Sequence, residues 1–509
     1  MRNRWFVASI LGLLAALGVG LRLIGASVRP LWQDEAESVI YAQQILEDGY
    51  PHDTFRGERL YETRSFLPDD DPKYEFVSTN FAGSRFEKNK GWLPYYLMAG
   101  SFRLFGVGAW QARLPAAIFG GLTVSAAYLL ARLVLPPPAS LLVAALQAGN
   151  PLAVAAEGQA RYYAALTLAF TLAVVAFERW RRSRQKKNWW LAVGGVIALF
   201  YTHAPLAVYL GAAGVFAAVQ TLGWPGLLRS ARWWAGVTAI VAATLPWVLL
   251  VNMPAVWRYA GSDPLHFRPM WLTLVAAVTL AAFGIALVWH PLRARLQALP
   301  SPLRGWLLLC GSYTAVLPLL LPAESVAERL FFPLLPLLAV LGVALVKPPF
   351  PHGSQRAAQV VLAAGFLLAV VGGLTLLTVN SSRRSAPYRA EWVSPLVAKL
   401  QAENALSGRL LLTDYQQFPL TVASGLPFQL LSVLRCSYLQ TYPEPVLYLR
   451  HPVLTDRGWV VALPYCNPGE TACEQRTHER FACLTSGRAC KTTERDGTLV
   501  TTCGAPRSL

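Results

Sequence analysis

The feature that most constrains this chain is a series of long apolar segments separated by short clusters of charged residues. About 20 consecutive apolar residues in a helix span the roughly 30 Å hydrocarbon core of a bilayer. We therefore predict an α-helical polytopic membrane protein with about eleven transmembrane helices. The candidate spans are 5–28, 111–135, 139–155, 162–180, 189–202, 204–222, 233–251, 271–290, 304–321, 330–346 and 357–379.

The composition supports this class of protein. Hydrophobic residues make up 54% of the 509 residues and charged residues only 14%, with a mean hydropathy of +0.38, whereas a soluble domain carries about 25% charged residues. The first span lies where a signal peptide would lie. It is longer than a usual signal core and lacks a small-x-small cleavage site, so we expect the protein to retain it.

The distribution of basic residues predicts the orientation. They cluster in alternate loops, which the positive-inside rule places in the cytoplasm, so we expect a multi-pass protein of the inner or plasma membrane. The net charge of +17 then serves mostly as an anchor. Nucleic acid is not an expected partner, since no soluble domain carries a clustered basic face. The basic residues are Arg2, Arg4, Arg179, Arg181, Arg182, Arg184, Lys186, Lys187, Arg229, Arg232, Arg293, Arg295, Lys347 and Arg356.

The opposite face receives the large polar segments. We divide the chain into a transmembrane domain at 1–380, whose first extracytoplasmic loop is 29–110, and a small extracytoplasmic α/β domain at 381–509. Within the second domain we predict a helix at 389–405, a strand at 409–414, and two more strands in "PVLYLRH" and "GWVVALP". The cysteine-rich end, 466–503, looks too polar to build a core unaided.

Six of the seven cysteines lie in this second domain: Cys436, Cys466, Cys473, Cys483, Cys490 and Cys503. An oxidising compartment permits disulfides there. Structural zinc is the rival interpretation, but no pair shows Cys-x-x-Cys spacing. Six cysteines allow fifteen connectivities, so none is assigned. Cys310, within the ninth span, is expected to be a small buried hydrophobe.

A carboxylate pair, Asp34-Glu35, follows the first span directly. Ionisable residues at membrane depth are costly and indicate a functional site by default. The alternative is that the two acids only stabilise the N-terminus of the next helix. Position alone does not separate these two hypotheses.

Three further polar clusters map to the same face, in the runs "NPLAVAAEGQARYY", "YTHAP" and "AESVAERLFFPLLP". Taken singly, Arg161 and Arg329 could reach the interface by snorkelling, and His203 could cap a helix end. Their convergence favours a site, since a carboxylate can deprotonate a hydroxyl and arginines can hold a phosphate by paired donors. Such a site suits a phosphate-linked substrate embedded in the bilayer.

In order and spacing these runs, with "DEAESVIYAQQIL" and "FGVGAWQARLPAAIFG", resemble the GT-C superfamily of integral-membrane glycosyltransferases. The resemblance covers roughly residues 1–350 and is nearest to the family 39-like enzymes, related to protein O-mannosyltransferases and the lipid A aminoarabinose transferase. It implies transfer of a sugar, with inversion, from a polyprenyl-phosphate-linked donor to an acceptor on the extracytoplasmic face. The sugar, and whether the acceptor is a lipid, a glycan or a protein, stay open.

The resemblance also implies roles for residues. Asp34 matches the presumed base of the family, and Glu35 matches its neighbour. Arg161 and Arg329 fall where relatives place positive charge near the carrier phosphate. The catalytic candidates are Asp34, Glu35 and Glu157, and the expected donor-binding residues are Lys90, Arg161, Tyr163, His203 and Arg329.

This sequence departs from the family pattern in three places. Only Lys90 and Pro94 correspond to the Lys-Pro-Pro of relatives. Gln159 stands where relatives often have Glu, so the second acid has moved to Glu157 or is lost, and the use of a divalent metal stays open. An acidic insertion near 69–71 is expected to be solvated surface.

Two other classes of function remain as alternatives. A flippase or transporter of lipid-linked sugars would share the hydrophobicity, but we expect it to place charged residues along helix interiors. A non-catalytic envelope assembly protein could use the cysteine-rich end to bind partners, and it would have no need for Asp34.

Overall fold

The computed structural model describes residues 2–60, 73, 85–87, 90–251, 301–320, 332–345, 393–413, 417–431, 434–450, 453–454, 460–461, 471–495 and 498–506. Helices dominate the described residues as far as 345. They are α1 (Arg2–Leu23), α2 (Gln33–Asp48), α3 (Leu93–Phe105), α4 (Ala109–Ala131), α5 (Pro137–Gly149), α6 (Pro151–Glu157), α7 (Tyr163–Ser183), α8 (Lys186–Thr202), α9 (Ala204–Leu222), α10 (Trp224–Leu228), α11 (Ala231–Leu250), α12 (Ser301–Leu320) and α13 (Leu335–Leu345). A short hairpin, β1 (Thr54–Phe55) and β2 (Glu58–Arg59), follows α2.

The apolar helices bear out the prediction of a polytopic membrane protein. Within the described residues, four helices are long and apolar enough to cross a bilayer by themselves. They are Trp5–Leu23, Ala109–Ala131, Tyr163–Ser183 and Ala231–Leu250. A bent pair of shorter helices makes a fifth crossing if it is counted as one span. The predicted spans 271–290 and 357–379 lie outside the described residues.

The span predicted at 139–155 is not one continuous helix. α5 ends at Gly149 and α6 begins at Pro151, with a bend of 53° between them. The Asn150 side chain accepts hydrogen bonds from the backbone N–H groups of Leu152 and Ala153, which makes it the N-cap of α6. Proline is accepted at the first position of a new helix, where its missing N–H costs nothing, but it disrupts a helix interior. The Asn-Pro dipeptide therefore divides the span.

Small residues let the central helices approach closely. α4 packs against α1 on one side and against α7 on the other. A Cβ atom added at Gly121 of α4 would lie only 2.4 Å from the side chain of Val19, so only glycine allows this contact between α1 and α4. Close approach through small residues is how helices associate when lipid removes the hydrophobic drive between them.

Aromatic and basic residues gather at one end of the bundle. Trp189 at the start of α8 packs between Trp180 of α7 and Trp233 of α11, with ring centroids 4.7 and 6.1 Å away. Arg232 donates a hydrogen bond of 3.0 Å to the carbonyl oxygen of Arg184. The basic loop between α7 and α8 therefore lies beside the basic loop that precedes α11.

The C-terminal residues form a mixed sheet covered by helices. Its strands are β3 (Leu410–Thr413), β4 (Gln429–Leu430), β5 (Val446–Arg450), β8 (Cys490–Arg495) and β9 (Thr498–Cys503), in the spatial order β4-β3-β5-β9-β8. β3 runs parallel to β4 and β5, whereas β9 is antiparallel to β5 and β8. A separate pair, β6 (Val453–Leu454) and β7 (Val460–Val461), lies between them in sequence. The helices are α14 (Val393–Ala402), α15 (Gln417–Ser424), α16 (Cys436–Thr441) and α17 (Thr471–Thr485).

Alternation along the strands gives the sheet two apolar faces. Leu410 and Leu412 of β3 belong to one buried cluster, together with residues of α16 and α17. Leu411, between them, belongs to a second cluster with residues of α14 and α15. Successive side chains of a strand point to opposite faces, and a strand with both faces covered is apolar throughout. That is the pattern of "LLL" in β3.

Part of the cysteine-rich end is sheet. The hairpin of β8 and β9 extends the sheet beside β5, so this end shares a core that begins at Leu410. The sequence carried a signal for it, because Asp-Gly between alternating residues favours a hairpin turn. Disulfides join Cys436 to Cys483 and Cys490 to Cys503, which confirms disulfides in this region.

The other cysteines behave as follows. The Cys466 position and the Cys473 side chain lie outside the described part of the chain. Cys310 on α12 is buried in the apolar core of the bundle, as predicted.

The two disulfides should differ in their contribution to stability. The Cys436–Cys483 bond closes a loop of 47 residues and the Cys490–Cys503 bond a loop of 13. In the chain-entropy model the longer loop contributes about 4 kcal/mol and the shorter about 3 kcal/mol. Replacing both cysteines of each pair by alanine in the full chain, and measuring denaturant-induced loss of the C-terminal sheet, should show the larger loss for the Cys436–Cys483 pair. The reverse order, or free thiols at these four positions, would contradict this prediction.

Candidate active site

The site is organised by the turn between α1 and α2. α2 begins at Gln33 without a side-chain cap, and Asp34 and Glu35 occupy its first turn. Acidic residues are favourable there because they face the positive end of the helix dipole. Consecutive residues of a helix point about 100° apart, so the two carboxylates meet different neighbours.

Glu35 is buried in an ion pair with Arg113 of α4. The two guanidinium nitrogens Nε and Nη2 donate to its two carboxylate oxygens at 2.9 and 2.6 Å, and the backbone N–H of Ala160 donates to Oε1 at 2.8 Å. Burial raises the pKa of Glu35, but the charge and hydrogen bonds of Arg113 outweigh it and hold this pKa below its ordinary value. Glu35 is therefore an ionised anchor of the turn.

Arg113 uses its remaining donors on the chain between α1 and α2. Its Nη1 donates to the carbonyl oxygens of Ala26 and Arg29, both at 2.7 Å, and its Nη2 donates to that of Pro30 at 3.0 Å. One arginine therefore satisfies three backbone carbonyls and one carboxylate. These bonds fix where the first span ends and where α2 begins.

Asp34 lies on another side of α2 and faces Arg161. The carboxylate oxygen Oδ2 is 3.1 Å from Arg161 Nη2, and Arg161 Nη1 donates at 2.7 Å to the backbone oxygen of Asp34. The Asp34 side chain is 17% exposed, whereas that of Arg161 is 3% exposed. Asp34 is thus an acid that holds a buried arginine and still has an accessible edge.

Glu37 is the residue of this cluster that the sequence reasoning missed. Its Oε2 accepts from Arg161 Nη1 at 3.2 Å and forms an ion pair with Lys90, and its Oε1 accepts from the Tyr41 hydroxyl at 3.1 Å. A signal was present, because Glu37 follows Asp34 by three residues and so shares a helix face with it. Glu37 joins the two cations that were predicted to bind the donor.

Asp34, Lys90 and Arg161 come from distant parts of the chain and meet in this cluster. It places Glu157 elsewhere, in a buried pair with Arg22 of α1, at 2.5 Å between Oε2 and Nη2. The Arg22 side chain is 0% exposed and that of Glu157 is 1% exposed. Glu157 thus has no contact with the Asp34 cluster among the bonds that the structure shows.

The aromatic residues form a wall beside this cluster. The Tyr162 ring contacts the His203 ring at a tilt of 46°, with ring centroids 4.2 Å apart, and the Arg161 guanidinium lies 5.6 Å from the centre of the Tyr162 ring. His203 Nδ1 accepts from the backbone N–H of Leu206 at 3.2 Å, so His203 is the N-cap of α9. Tyr163 is buried edge-on against Phe332. Arg329, with Glu324 and Glu328, lies outside the described residues.

The acids of this region are paired with cations. In the part of the chain that the structure describes, no group of three or more His, Cys, Asp or Glu side chains could hold a metal ion. Glu35 faces Arg113, Glu37 faces Lys90 and Arg161, and Asp34 faces Arg161. Hard divalent cations need several oxygen ligands that converge. The described donor set does not fit a metal.

The C-terminal helix α15 packs on the helix that carries Asp34. Phe418 of α15 lies in one buried cluster with Ala36 and Ile40 of α2. A cavity of about 340 Å³ opens beside this contact, lined by the segment between α1 and α2, including Arg29, and by Val393 and Pro419. The C-terminal helix α15 therefore supports α2 directly.

Comparison with known proteins adds an independent line of evidence. The profile of a family described as dolichyl-phosphate-mannose-protein mannosyltransferase matches residues 89–250. An undecaprenyl phosphate-α-4-amino-4-deoxy-L-arabinose arabinosyl transferase of Pseudomonas aeruginosa is 30% identical over 388 residues, which cover 64% of this chain and 68% of the relative. A second transferase of that name, from Pseudomonas fluorescens, is 31% identical over 283 residues. In that match the chain spans about half the length of the relative.

Solved structures show the same fold. The structural alignment with apo ArnT from Cupriavidus metallidurans covers 99% of this chain and 98% of the ArnT chain. Its TM-score is 0.60, and the two sequences are 14% identical. The structure of ArnT bound to undecaprenyl phosphate gives a TM-score of 0.59, also at 14% identity. The chain belongs to the GT-C superfamily of integral-membrane glycosyltransferases, in the polyprenyl-phosphate-sugar-dependent family that includes protein mannosyltransferases and the aminoarabinose transferases.

Replacing Glu35 by Gln should destabilise the protein. The substitution leaves the Arg113 guanidinium buried without its counter-charge, and breaking a buried pair in this way costs about 3–5 kcal/mol. Asp34→Asn is the matched control, because Arg161 keeps Glu37 and the helix-dipole effect is worth only about 0.3–1 kcal/mol. Thermal unfolding in detergent micelles checks both variants.

The pH dependence of stability is a second measurement that tests the role of Glu35. The pKa of Glu35 is lowered in the fold, so its contribution is present above the unfolded pKa and is lost as pH falls through the folded pKa. The stability of Glu35→Gln should therefore fall less than that of the wild type as the pH is lowered, because this variant has no Glu35 carboxylate to protonate. Equal stability of Glu35→Gln and wild type at neutral pH would contradict the anchoring role.

Proposed function

We propose that this protein transfers a sugar from a polyprenyl-phosphate-linked donor to a hydroxyl of an acceptor on the extracytoplasmic face, with inversion and with Asp34 as the general base. The observation that carries the proposal is the contact between Asp34 and Arg161. It sets a carboxylate with an accessible edge 3.1 Å from a buried cation. A base that activates the acceptor and a cation for the leaving phosphate are the two groups that this reaction needs.

Accessibility selects Asp34 among the acids of the region. The side chains of Glu35 and Glu37 are 2% and 1% exposed, and each accepts hydrogen bonds at both oxygens. Glu35 is held ionised by Arg113, which suits an anchor rather than a group that exchanges protons with substrate. Asp34 is the acid of the cluster that an acceptor hydroxyl can approach.

Arg161 and Lys90 are the proposed phosphate-binding residues. Both contact the Glu37 carboxylate, so the two cations lie close enough together to contact one anion. A guanidinium presents paired donors that match phosphate geometry. As the sugar leaves, the phosphate gains negative charge, and cations already in place stabilise it. Tyr163, His203 and Arg329 complete the proposed donor site, as the family resemblance implies.

The proposed donor carries undecaprenyl or a similar polyprenyl chain. The curated relatives are named for undecaprenyl phosphate and 4-amino-4-deoxy-L-arabinose, which supports an undecaprenyl-phosphate-linked pentose or hexose as the sugar source. The acceptor is a lipid, a glycan or a protein with an accessible hydroxyl. Two observations favour an enzyme over a flippase or a non-catalytic assembly protein: the family to which the chain belongs, and the position of Asp34 beside the proposed phosphate-binding Arg161.

The proposed arrangement has about eleven transmembrane helices in an inner membrane, with residues 381–509 as an extracytoplasmic domain. Two basic loops meet at one end of the bundle, near Trp189. The acidic and arginine cluster lies at the other end of α4 and α7, near Arg113 and Arg161. Because basic loops stay in the cytoplasm, the cluster and the C-terminal helix α15 that packs on α2 belong outside.

Reporter fusions test this orientation. A cytoplasmic reporter fused after Gln185 should be active, and the same reporter fused after Leu400 should be silent, because the two positions lie on opposite sides of the membrane. A periplasmic reporter should show the reverse pattern. Equal cytoplasmic activity at both positions would overturn the proposed topology.

The substitution Asp34→Asn tests the general base. It keeps the shape of the side chain and removes its basicity, so kcat should fall by about 10²–10⁴-fold. Binding of the lipid-linked donor should be largely retained, because Arg161 and Lys90 are unchanged. Steady-state transfer by folded protein measures both quantities.

Glu47→Gln is the matched control, since Glu47 is an exposed acid on the same helix. It should transfer sugar at the wild-type rate. Activity of Asp34→Asn within about threefold of wild type would leave Asp34 a structural residue, in accord with the dipole effect alone.

A further inference from the structure

We propose that the buried Arg22–Glu157 pair is a positioning device that sets Arg161 against Asp34 for donor binding. The proposal rests on the function proposed above and gives a role to two residues outside the Asp34 cluster. Its basis is geometric. A charged pair closed inside the helix bundle stands four residues before the arginine that contacts Asp34.

The Arg22 guanidinium is almost fully used by its contacts, whereas Glu157 Oε1 is buried without a hydrogen-bond partner among the described residues. Arg22 Nε and Nη2 donate to Glu157 Oε2 at 2.9 and 2.5 Å. Arg22 Nη1 donates to the carbonyl oxygens of Gly18 at 2.8 Å and Ala148 at 3.3 Å, and Nη2 donates to that of Gln147 at 3.4 Å. Arg22 therefore ties together α1, the free C-terminal carbonyls of α5, and the end of α6.

The pair fits closely against two glycines, Gly120 and Gly158. A Cβ atom added at Gly120 of α4 would lie 2.2 Å from Arg22 Nε and 2.9 Å from Glu157 Oε2. One added at Gly158 would lie 2.9 Å from the carbonyl oxygen of Arg22. Glycine at both positions lets α4 and the end of α6 close on Arg22. The fit restricts where Glu157 can stand.

A short turn transmits this restraint to Arg161. After Glu157 the chain is held by backbone bonds from Gly158 to Val154, at 3.0 Å, and from Arg161 to Gln159, at 2.7 Å. The N–H of Ala160 donates to Glu35. The turn is thus fixed at one end by the pair and at the other by α2.

Such a restraint matters because phosphate recognition depends on placement. A displacement of about 1 Å in a group that positions substrate can cost about 100-fold in rate. The break at Asn150 separates α6 from α5. A continuous helix therefore cannot fix the position of the turn that follows Glu157. The ion pair supplies that restraint across the break.

A double-mutant cycle between Glu157→Gln and Arg161→Ala tests the proposal in the full-length protein, with an undecaprenyl-phosphate-linked sugar as the probe. Glu157→Gln alone should raise the donor KM by about 10-fold to 100-fold through the misplaced turn. In the Arg161→Ala background the same substitution should add no further increase, because the group through which it acts is gone. Thermal stability is measured on each variant, so that a general loss of folded protein is recognised.

The control is Glu178→Gln, which removes an acid from a pair with Arg181 at the far end of α7. It should leave the donor KM unchanged. If Glu157→Gln fails to fold, the paired replacement of Arg22→Met with Glu157→Leu takes its place, because exchanging a whole buried pair for apolar residues often preserves stability. It should still raise the donor KM.

The outcomes separate the two proposals. If the effects of Glu157→Gln and Arg161→Ala multiply, or if Glu157→Gln leaves the donor KM unchanged, the positioning role is wrong and Arg161 keeps its place in the site. If Arg161→Ala itself leaves the donor KM unchanged, the proposed phosphate site fails, and the positioning role fails with it.

Discussion

The buried ion pair between Glu35 and Arg113 is the interaction on which the rest of the site depends. It closes the turn between α1 and α2 against α4, and the same guanidinium satisfies three backbone carbonyls of that turn. With α2 fixed, the Asp34 carboxylate lies 3.1 Å from Arg161 Nη2. The adjacent carboxylates therefore divide two tasks: the buried one holds the backbone, and the accessible one is the proposed base.

Much of the membrane architecture was predictable from the sequence, because a bilayer imposes a simple length rule on apolar segments. The helices found at Ala109–Ala131, Tyr163–Ser183 and Ala231–Leu250 match predicted spans within a few residues. The break at Asn150 was a local exception. Its Asn-Pro signal was present, but the apolar run on both sides favoured one continuous helix.

The candidate site was predictable only in part. Position at the ends of spans predicted that Asp34 and Arg161 lie on one face, and the structure places them in contact. Lys90 was predicted only from the family resemblance, and it joins the same cluster through Glu37. The sequence could not reveal that Glu37 pairs with both Lys90 and Arg161. It also could not reveal that Glu157 pairs with Arg22 inside the bundle. Such pairings depend on helix rotation and on glycine-sized gaps in a neighbouring helix, and a single sequence does not specify either.

Chemical rescue of an Asp34→Ala variant tests the central claim most directly. If Asp34 is the base, removing its carboxylate leaves a small space in which added formate can accept the proton of the acceptor hydroxyl. Sugar transfer by Asp34→Ala should then rise with formate concentration, while transfer by Arg161→Ala should not. An Asp34→Ala protein that is folded, binds the lipid-linked donor and stays equally inactive at every formate concentration would contradict the account.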